Sequence, residues 1–253
     1  MTMPEPRTLQ AVNDLQPLLQ ARRWRWRATP FPHIVAENVF VPDVQEELAR
    51  DFRTLYDQRT TAGYNTQHDF LGTSLISTQC GSLEVFISPA WYALFTRLFG
   101  INEPGFLTAG VHRHRPGSRN GFPHNDIFPE RLDVGPGRGD VLRFGGPVAG
   151  KSVRAVAILY YLNNGPWAPG DGGETSLYWD WKDGVDTPVD SVPPRDNTLF
   201  AFSCNPHSYH SFRTNRKRRD SVISFVYRGV DDYVQLWGDE GLRQYAEYGR
   251  HHA

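Results

Sequence analysis

The chain has 253 residues, a formal net charge of -1, 39% hydrophobic and 13% aromatic residues, 23 glycines and 19 prolines. This describes a turn-rich globular protein long enough to bury a real core; it argues against a helical bundle and, being near-neutral, against a dedicated nucleic-acid binder. Cys80 and Cys204 are too few for a disulfide scaffold or a cysteine-based zinc site, and no apolar run reaches signal-peptide or membrane-spanning character. The expectation is a soluble, cytoplasmic protein that engages neither membrane nor nucleic acid, its oligomeric state left open.

One domain is expected, in four stretches. Residues 1–30 form a polar N-terminal arm, where Leu9, Val12, Leu15, Leu18 and Leu19 recur at helical spacing. The Arg22 to Arg27 run alternates Arg with Trp, which predicts an edge strand with tryptophans inward and arginines solvated. Residues 31–105 form a support region. Phe31 to Val35 reads as a strand that Asn38 to Phe40 continues, and Pro42 opens a helix with Val44, Leu48, Phe52 and Leu55 on one stripe. Residues 58–75 read as a polar loop over a pocket. A second helix, Ala90 to Phe99, follows Ser88-Pro89 and ends at Gly100.

From Phe106 the texture changes, and strand-like runs alternate with Pro/Gly turns through residue 230, the expected catalytic core. The runs are Gly110 to Arg115, Ala155 to Leu162, Thr175 to Trp181, Asn197 to Ser203 and Ser221 to Arg228. Ala155 to Leu162 is the most apolar and ends at the turn Asn163-Asn164-Gly165-Pro166. Residues 134–150 are glycine-rich and show little pattern. Residues 231–253 form a tail in which Trp237 and Tyr245 would cover the barrel. The fold class expected is mainly β with flanking helices.

The chemistry concentrates at Phe122-Pro123-His124-Asn125-Asp126. In an extended segment His124 and Asp126 leave the same face, supplying an imidazole and a carboxylate of a 2-His-1-carboxylate site of the kind that binds Fe(II). Two further histidines, His207 and His210, follow the strand that ends at Ser203. Arg219 and Ser221 share one strand face, where a planar guanidinium and a hydroxyl reach one ligand carboxylate. Arg218 competes with Arg219, but the two-residue step to Ser221 favours Arg219. His112, Arg113, Arg115 and Arg119 lead into the His124 segment and hint at an anionic group on a substrate; Asn163 is a further candidate for facing the pocket.

In this order the pieces resemble the Fe(II)- and 2-oxoglutarate-dependent dioxygenases, in their prolyl-4-hydroxylase-like branch. The matching runs are Phe31-Pro32-His33; His124-x-Asp126; Tyr161-Leu162-Asn163 leading to Trp167-x-Pro169-Gly170-Asp171-Gly172-Gly173-Glu174; and His210 followed by Arg219-x-Ser221, across about residues 30–230. The resemblance implies a double-stranded β-helix, a jelly-roll or cupin-like core. It implies His124, Asp126 and His210 as iron ligands, with His207 the competing second histidine. Arg219 would bind 2-oxoglutarate with help from Ser221, and His114 stands near the place where relatives have a tyrosine that touches this co-substrate. Glu174 reads as a structural residue. The implied reaction uses Fe(II), 2-oxoglutarate and O2, with ascorbate as a supporting reductant, to hydroxylate an unactivated C–H bond and release succinate and CO2. Because the carboxylate of Asp126 is present, hydroxylation is expected over halogenation. A small molecule, an amino acid or biosynthetic intermediate, is the expected substrate. The alternatives are a prolyl or other side chain of a protein, and a jelly roll that binds without catalysis.

Overall fold

The computed structural model describes residues 14–20, 24–57, 63–65, 69–130, 132, 141–146, 150–244 and 246. Its elements in chain order are β1 (Arg25–Arg27), β2 (His33–Glu37), α1 (Pro42–Asp57), β3 (Gly63–Asn65), β4 (Phe70–Ser74), a 3-10 helix (Gly81–Ile87), α2 (Pro89–Leu98), β5 (Gly105–His114) and β6 (Leu142–Phe144). Then follow β7 (Ser152–Tyr161), β8 (Thr175–Leu177), β9 (Asp190–Val192), β10 (Thr198–Ser203), β11 (His210–Phe212), β12 (Arg219–Gly229) and α3 (Val230–Trp237).

The strands form two sheets. The nine-stranded sheet runs β1-β2-β10-β7-β12-β5-β4-β3, with β6 beside β5, and the three-stranded sheet runs β11-β8-β9. The larger sheet is covered on both faces, which is why its central strand β7 is apolar from Ala155 to Tyr161 rather than alternating. Its outer face, including Val111, Tyr160 and Val222, packs on Phe52 of α1, Phe86 of the 3-10 helix and Trp91 and Phe95 of α2. Its inner face, including Leu159, Tyr161, Phe200 and Phe202, packs on Leu177 and Val192 of the smaller sheet. This is the mainly β jelly-roll core with flanking helices that the sequence implied.

Residues 117–124 serve as an irregular fourth rung of the smaller sheet. Gly117 N–H donates to Asn215 O at 2.7 Å, Gly121 N–H to Phe212 O at 2.8 Å, and His124 and His210 exchange backbone bonds at 3.0 and 2.9 Å. One irregularity in the larger sheet also bears on the site. Val226 of β12 pairs with Val156 of β7, but the next residue, Tyr227, pairs with Arg154. Ala155 is therefore the extra residue of a β-bulge, and Ala155 and Val156 both join the outer core. Strict alternation from Tyr161, Leu159 and Ala157 would send Arg154 outward as well; the bulge turns it inward.

Several expectations change. Residues 58–75 are not only loop, because β3 and β4 extend the larger sheet beyond β5; β4 is half-buried throughout and so carries no alternating signal. The helical spacing near the N-terminus yields only one turn, Leu19 N–H to Leu15 O at 3.1 Å, while Leu9 and Val12 lie outside the described residues. β2 stops at Glu37, because Asn38 takes a φ of 53°. β1 is the expected edge strand, but Trp26 is 53% exposed, its ring resting on Phe99 at 5.5 Å. β8 ends at Leu177 because the Trp179 and Asp180 amides turn to the Asp183 carboxylate at 3.0 and 2.9 Å. In the tail, α3 buries Tyr233, whereas Trp237 is 41% exposed and does not cover the barrel; Tyr245 lies outside the described residues. No helix among the described residues is long and apolar enough to cross a membrane.

Candidate active site

His124, Asp126 and His210 offer donor atoms that all lie within 4.8 Å of one another, the one such three-residue group among the described residues. The extended-strand premise does not hold here. Only His124 is bridged, to His210, and Asp126 has a φ of 62°. A left-handed turn, which aspartate tolerates better than most residues, swings its carboxylate toward both imidazoles. Asn125 fixes that turn by accepting the Ile127 amide at 3.3 Å on its side chain and the Ser208 hydroxyl at 3.2 Å on its carbonyl.

Each imidazole is oriented by a backbone carbonyl two residues earlier. His124 Nδ1–H donates to Phe122 O at 3.0 Å and His210 Nδ1–H to Ser208 O at 2.9 Å. A carbonyl can only accept, so this fixes the tautomer and leaves both Nε2 atoms facing Asp126. His210 Nε2 is 3.3 Å from Oδ2 and His124 Nε2 is 3.8 Å from Oδ1. Imidazole nitrogens and carboxylate oxygens aimed at one point can hold a cation there. Two nitrogens and one oxygen with an open side form a donor set that suits Fe(II). Burial alone would raise the Asp126 carboxyl. The Arg154 guanidinium, with His210 and His124, outweighs it and holds the group well below the usual carboxylate range.

Arg219, only 3% exposed, opens β12 opposite His114, and Ser221 lies opposite His112 and Tyr161. Its contacts are long: Nη1 to Ser221 Oγ at 3.4 Å, Nη2 to Thr175 Oγ1 at 3.3 Å and to Tyr161 Oη at 3.5 Å. Its Nε is buried without a partner among the described residues. The guanidinium lies over the rings of Tyr161 and Phe212, at 5.0 and 5.4 Å, and His114 stacks on Phe212 at 3.9 Å. A buried guanidinium with slack hydroxyl contacts and no carboxylate among the described residues can take an anion, because leaving such a charge unpaired is costly.

The Gly-Asp-Gly-Gly-Glu turn supports Arg219. Gly172 has a φ of 76°, and a Cβ there would collide with the Thr214 carbonyl oxygen. Gly173 lies under the Arg219 side chain, and Lys217 Nζ donates to Asp171 Oδ2 at 2.8 Å. The motif thus clamps the turn between β11 and β12.

The other residues fall elsewhere. His207 is exposed. Arg218 is 47% exposed and pairs with Asp220 at 3.3 Å. Asn163 does not face the pocket; it turns to α1, contacting Ala49 O at 3.0 Å and Arg53 at 2.6 Å, because a φ of 58° redirects it. Of the basic run, Arg113 lies under Tyr56 and grips Asp220 through two 2.8 Å bonds, and Arg115 and Arg119 are exposed. His112 alone of the four lines a cavity of about 370 Å³, together with Thr108, Glu130, Arg154 and Phe225. The sequence reading missed Thr175, the Tyr161 hydroxyl and Arg154. Tyr161 was accessible from its two-residue step along β7; Arg154 was not, because the bulge reverses its parity.

The jelly roll thus carries a His-Asp-His cluster of the kind that can hold a mononuclear, non-haem metal, together with a buried arginine. A sequence profile of the 2OG-Fe(II) oxygenase superfamily matches residues 109–227, the span from β5 to β12. That superfamily works with Fe(II), 2-oxoglutarate and O2, and His124, Asp126 and His210 all lie within the matched residues. A Pseudomonas putida prolyl-4-hydroxylase shares the fold with a TM-score of 0.52 at 19% identity, over 78% of this chain and 92% of its own. A Trichoplax adhaerens prolyl hydroxylase, solved with a hypoxia-inducible-factor peptide fragment, gives 0.56 at 16% identity, over 77% and 83%. The viral collagen prolyl hydroxylase of Paramecium Bursaria Chlorella virus-1, solved with 2OG, gives 0.51 at 14% identity, over 77% and 95%. Comparison with curated protein sequences gives no significant match.

Proposed function

We propose that the protein hydroxylates an unactivated C–H bond of an amino-acid-sized small molecule, with release of succinate and CO2. In this reading His124, Asp126 and His210 hold Fe(II), and Arg219, assisted by Ser221, Tyr161 and Thr175, binds the distal carboxylate of 2-oxoglutarate. His114 shapes that subsite through its stack on Phe212. Residues 106–230 act as the catalytic core of a single domain. The observation that carries the reading is the convergence of both Nε2 atoms on Asp126, in a fold that also buries the Arg219 guanidinium without a carboxylate partner among the described residues.

When bound, the metal and its co-substrates supply the oxidising chemistry. The chain supplies orientation. The carbonyls of Phe122 and Ser208 hold the imidazole protons at Nδ1, and the hydroxyls around Arg219 set where an incoming carboxylate rests. Asp126 fills the position that related halogenases leave to chloride, which supports hydroxylation. Two buried, free cysteines support a reducing, cytoplasmic setting; burial pushes Cys80 up to about 12 and Cys204 well above its usual range.

The cavity of about 370 Å³ supports an amino-acid-sized guest. A second reading, a prolyl residue within a peptide, is favoured by the fold shared with prolyl hydroxylases, one of them solved with a peptide fragment. Purified protein with Fe(II), 2-oxoglutarate and ascorbate is to be offered free amino acids and proline-containing peptides separately. Succinate release coupled to the gain of one oxygen by a free amino acid is expected. The same gain in peptides alone establishes the second reading, and no succinate with any guest points to a binding protein.

A further inference from the structure

We infer that Arg154 is a positioning residue, which holds Asp126 by Oδ1 so that Oδ2 is the single carboxylate oxygen presented to the metal. The inference rests on the reading of Asp126 as a metal ligand. Three observations carry it. The bulge at Ala155 turns Arg154 from the outer to the inner face, and bulges of this kind re-aim side chains beside active sites. Once inside, its guanidinium lies over the Phe225 ring at 3.9 Å, a platform that fixes its plane. Its Nη1 then donates to Asp126 Oδ1 at 2.5 Å, while Oδ2 faces His210 Nε2 at 3.3 Å.

The arrangement answers a geometric need. An ion held by two imidazoles and one carboxylate oxygen would keep positions open for co-substrates. A carboxylate free to bind through both oxygens would encroach on those positions. Asp126 also stands on a left-handed backbone turn, a conformation that persists only where its surroundings over-determine it. Among the described residues, Arg154 is the one arginine that both lines the cavity and touches this carboxylate.

The test is an anaerobic titration of the metal-free full-length protein with Co(II), using Arg154→Met, Arg154→Lys and Asp126→Ala. Arg154→Met is expected to weaken Co(II) binding about 10- to 100-fold, the usual effect of losing a partner of a metal ligand. Arg154→Lys should lose less, since it keeps the charge and a donor but not the planar fork. At saturating Co(II), the visible absorption of the ion reports its ligand set. It should change in Arg154→Met and return toward the parent spectrum in Arg154→Lys, which general loosening of the fold would not produce. If Arg154→Met does not fold, Arg154→Lys carries the test by its partial loss of affinity. Binding as tight as the parent, or an unchanged spectrum, overturns the inference. If Asp126→Ala also binds Co(II) like the parent, the ligand reading falls and takes this one with it. If Asp126→Ala loses the ion and Arg154→Met does not, the positioning role alone is lost.

Discussion

His124 and His210 come from chain segments more than eighty residues apart, yet each is oriented by the same local device, an Nδ1 bond to the carbonyl two residues back. His207 has no such device and faces outward, so it makes a clean control. His124→Ala and His210→Ala are expected to abolish metal binding and 2-oxoglutarate turnover, while His207→Ala should leave both intact; activity in His210→Ala together with its loss in His207→Ala would reverse the assignment. For Arg219, each hydrogen bond to a charged group contributes about 1.5–3 kcal/mol, roughly a 10- to 150-fold effect. Arg219→Ala should therefore raise the KM for 2-oxoglutarate by at least that much with the metal still bound, as steady-state succinate assays would show. Sequence legibility at this scale was uneven. The His-Asp-His cluster and Arg219 stand in recognisable order, whereas the pairing premise for His124 and Asp126 assumed a strand that the positive φ of Asp126 replaces.

Strand β7 shows what periodicity can and cannot deliver. Its apolar run identifies a central strand covered on both faces, but an inserted residue leaves no mark in a run without alternation, so the inward turn of Arg154 emerges only from its pairing with β12. The half-buried β4 and the three-residue strands β3, β8, β9 and β11 are likewise set by their neighbours more than by propensity. The Gly172 turn is the opposite case, a motif legible in the sequence, although it is the Thr214 carbonyl of the distant β11–β12 turn that demands the glycine. Gly172→Ala combines a positive φ with a backbone collision and is expected to cost about 2 kcal/mol or more, visible as a lowered Tm. Because that turn braces the β11–β12 turn leading into Arg219, the KM for 2-oxoglutarate should rise alongside it. Nearby, Arg113→Ala would strand the fully buried Asp220 with only a half-exposed Arg218; a loss of about 3 kcal/mol is expected in denaturant unfolding.

For the molecule as a whole, the order of motifs was enough to anticipate a jelly roll, but not the guest. The cavity wall is assembled from β4, β5, β7, β12 and the stretch around residues 130–132, so its chemistry arises from topology rather than from any contiguous run. Ligand linkage offers a reading of the assembled site without a known substrate. 2-Oxoglutarate at about a hundred times its Kd stabilises the folded state by about 2.7 kcal/mol. With Co(II) present and oxygen excluded, thermal melts should shift upward by several degrees, and Arg219→Ala should lose the shift.

The irregular rung formed by residues 117–124 has a further consequence. It joins the smaller sheet through a few backbone bonds, and His124 lies at one end of it with Arg115 and Arg119 exposed near the other. An ion shared by His124 and His210 would stitch this stretch to β11 and make local opening rarer. Trypsin should therefore cut after Arg119 more slowly once Co(II) is added, and equally fast with or without it in His124→Ala. Metal supply would then govern how long the chain survives a protease as well as how fast it turns over.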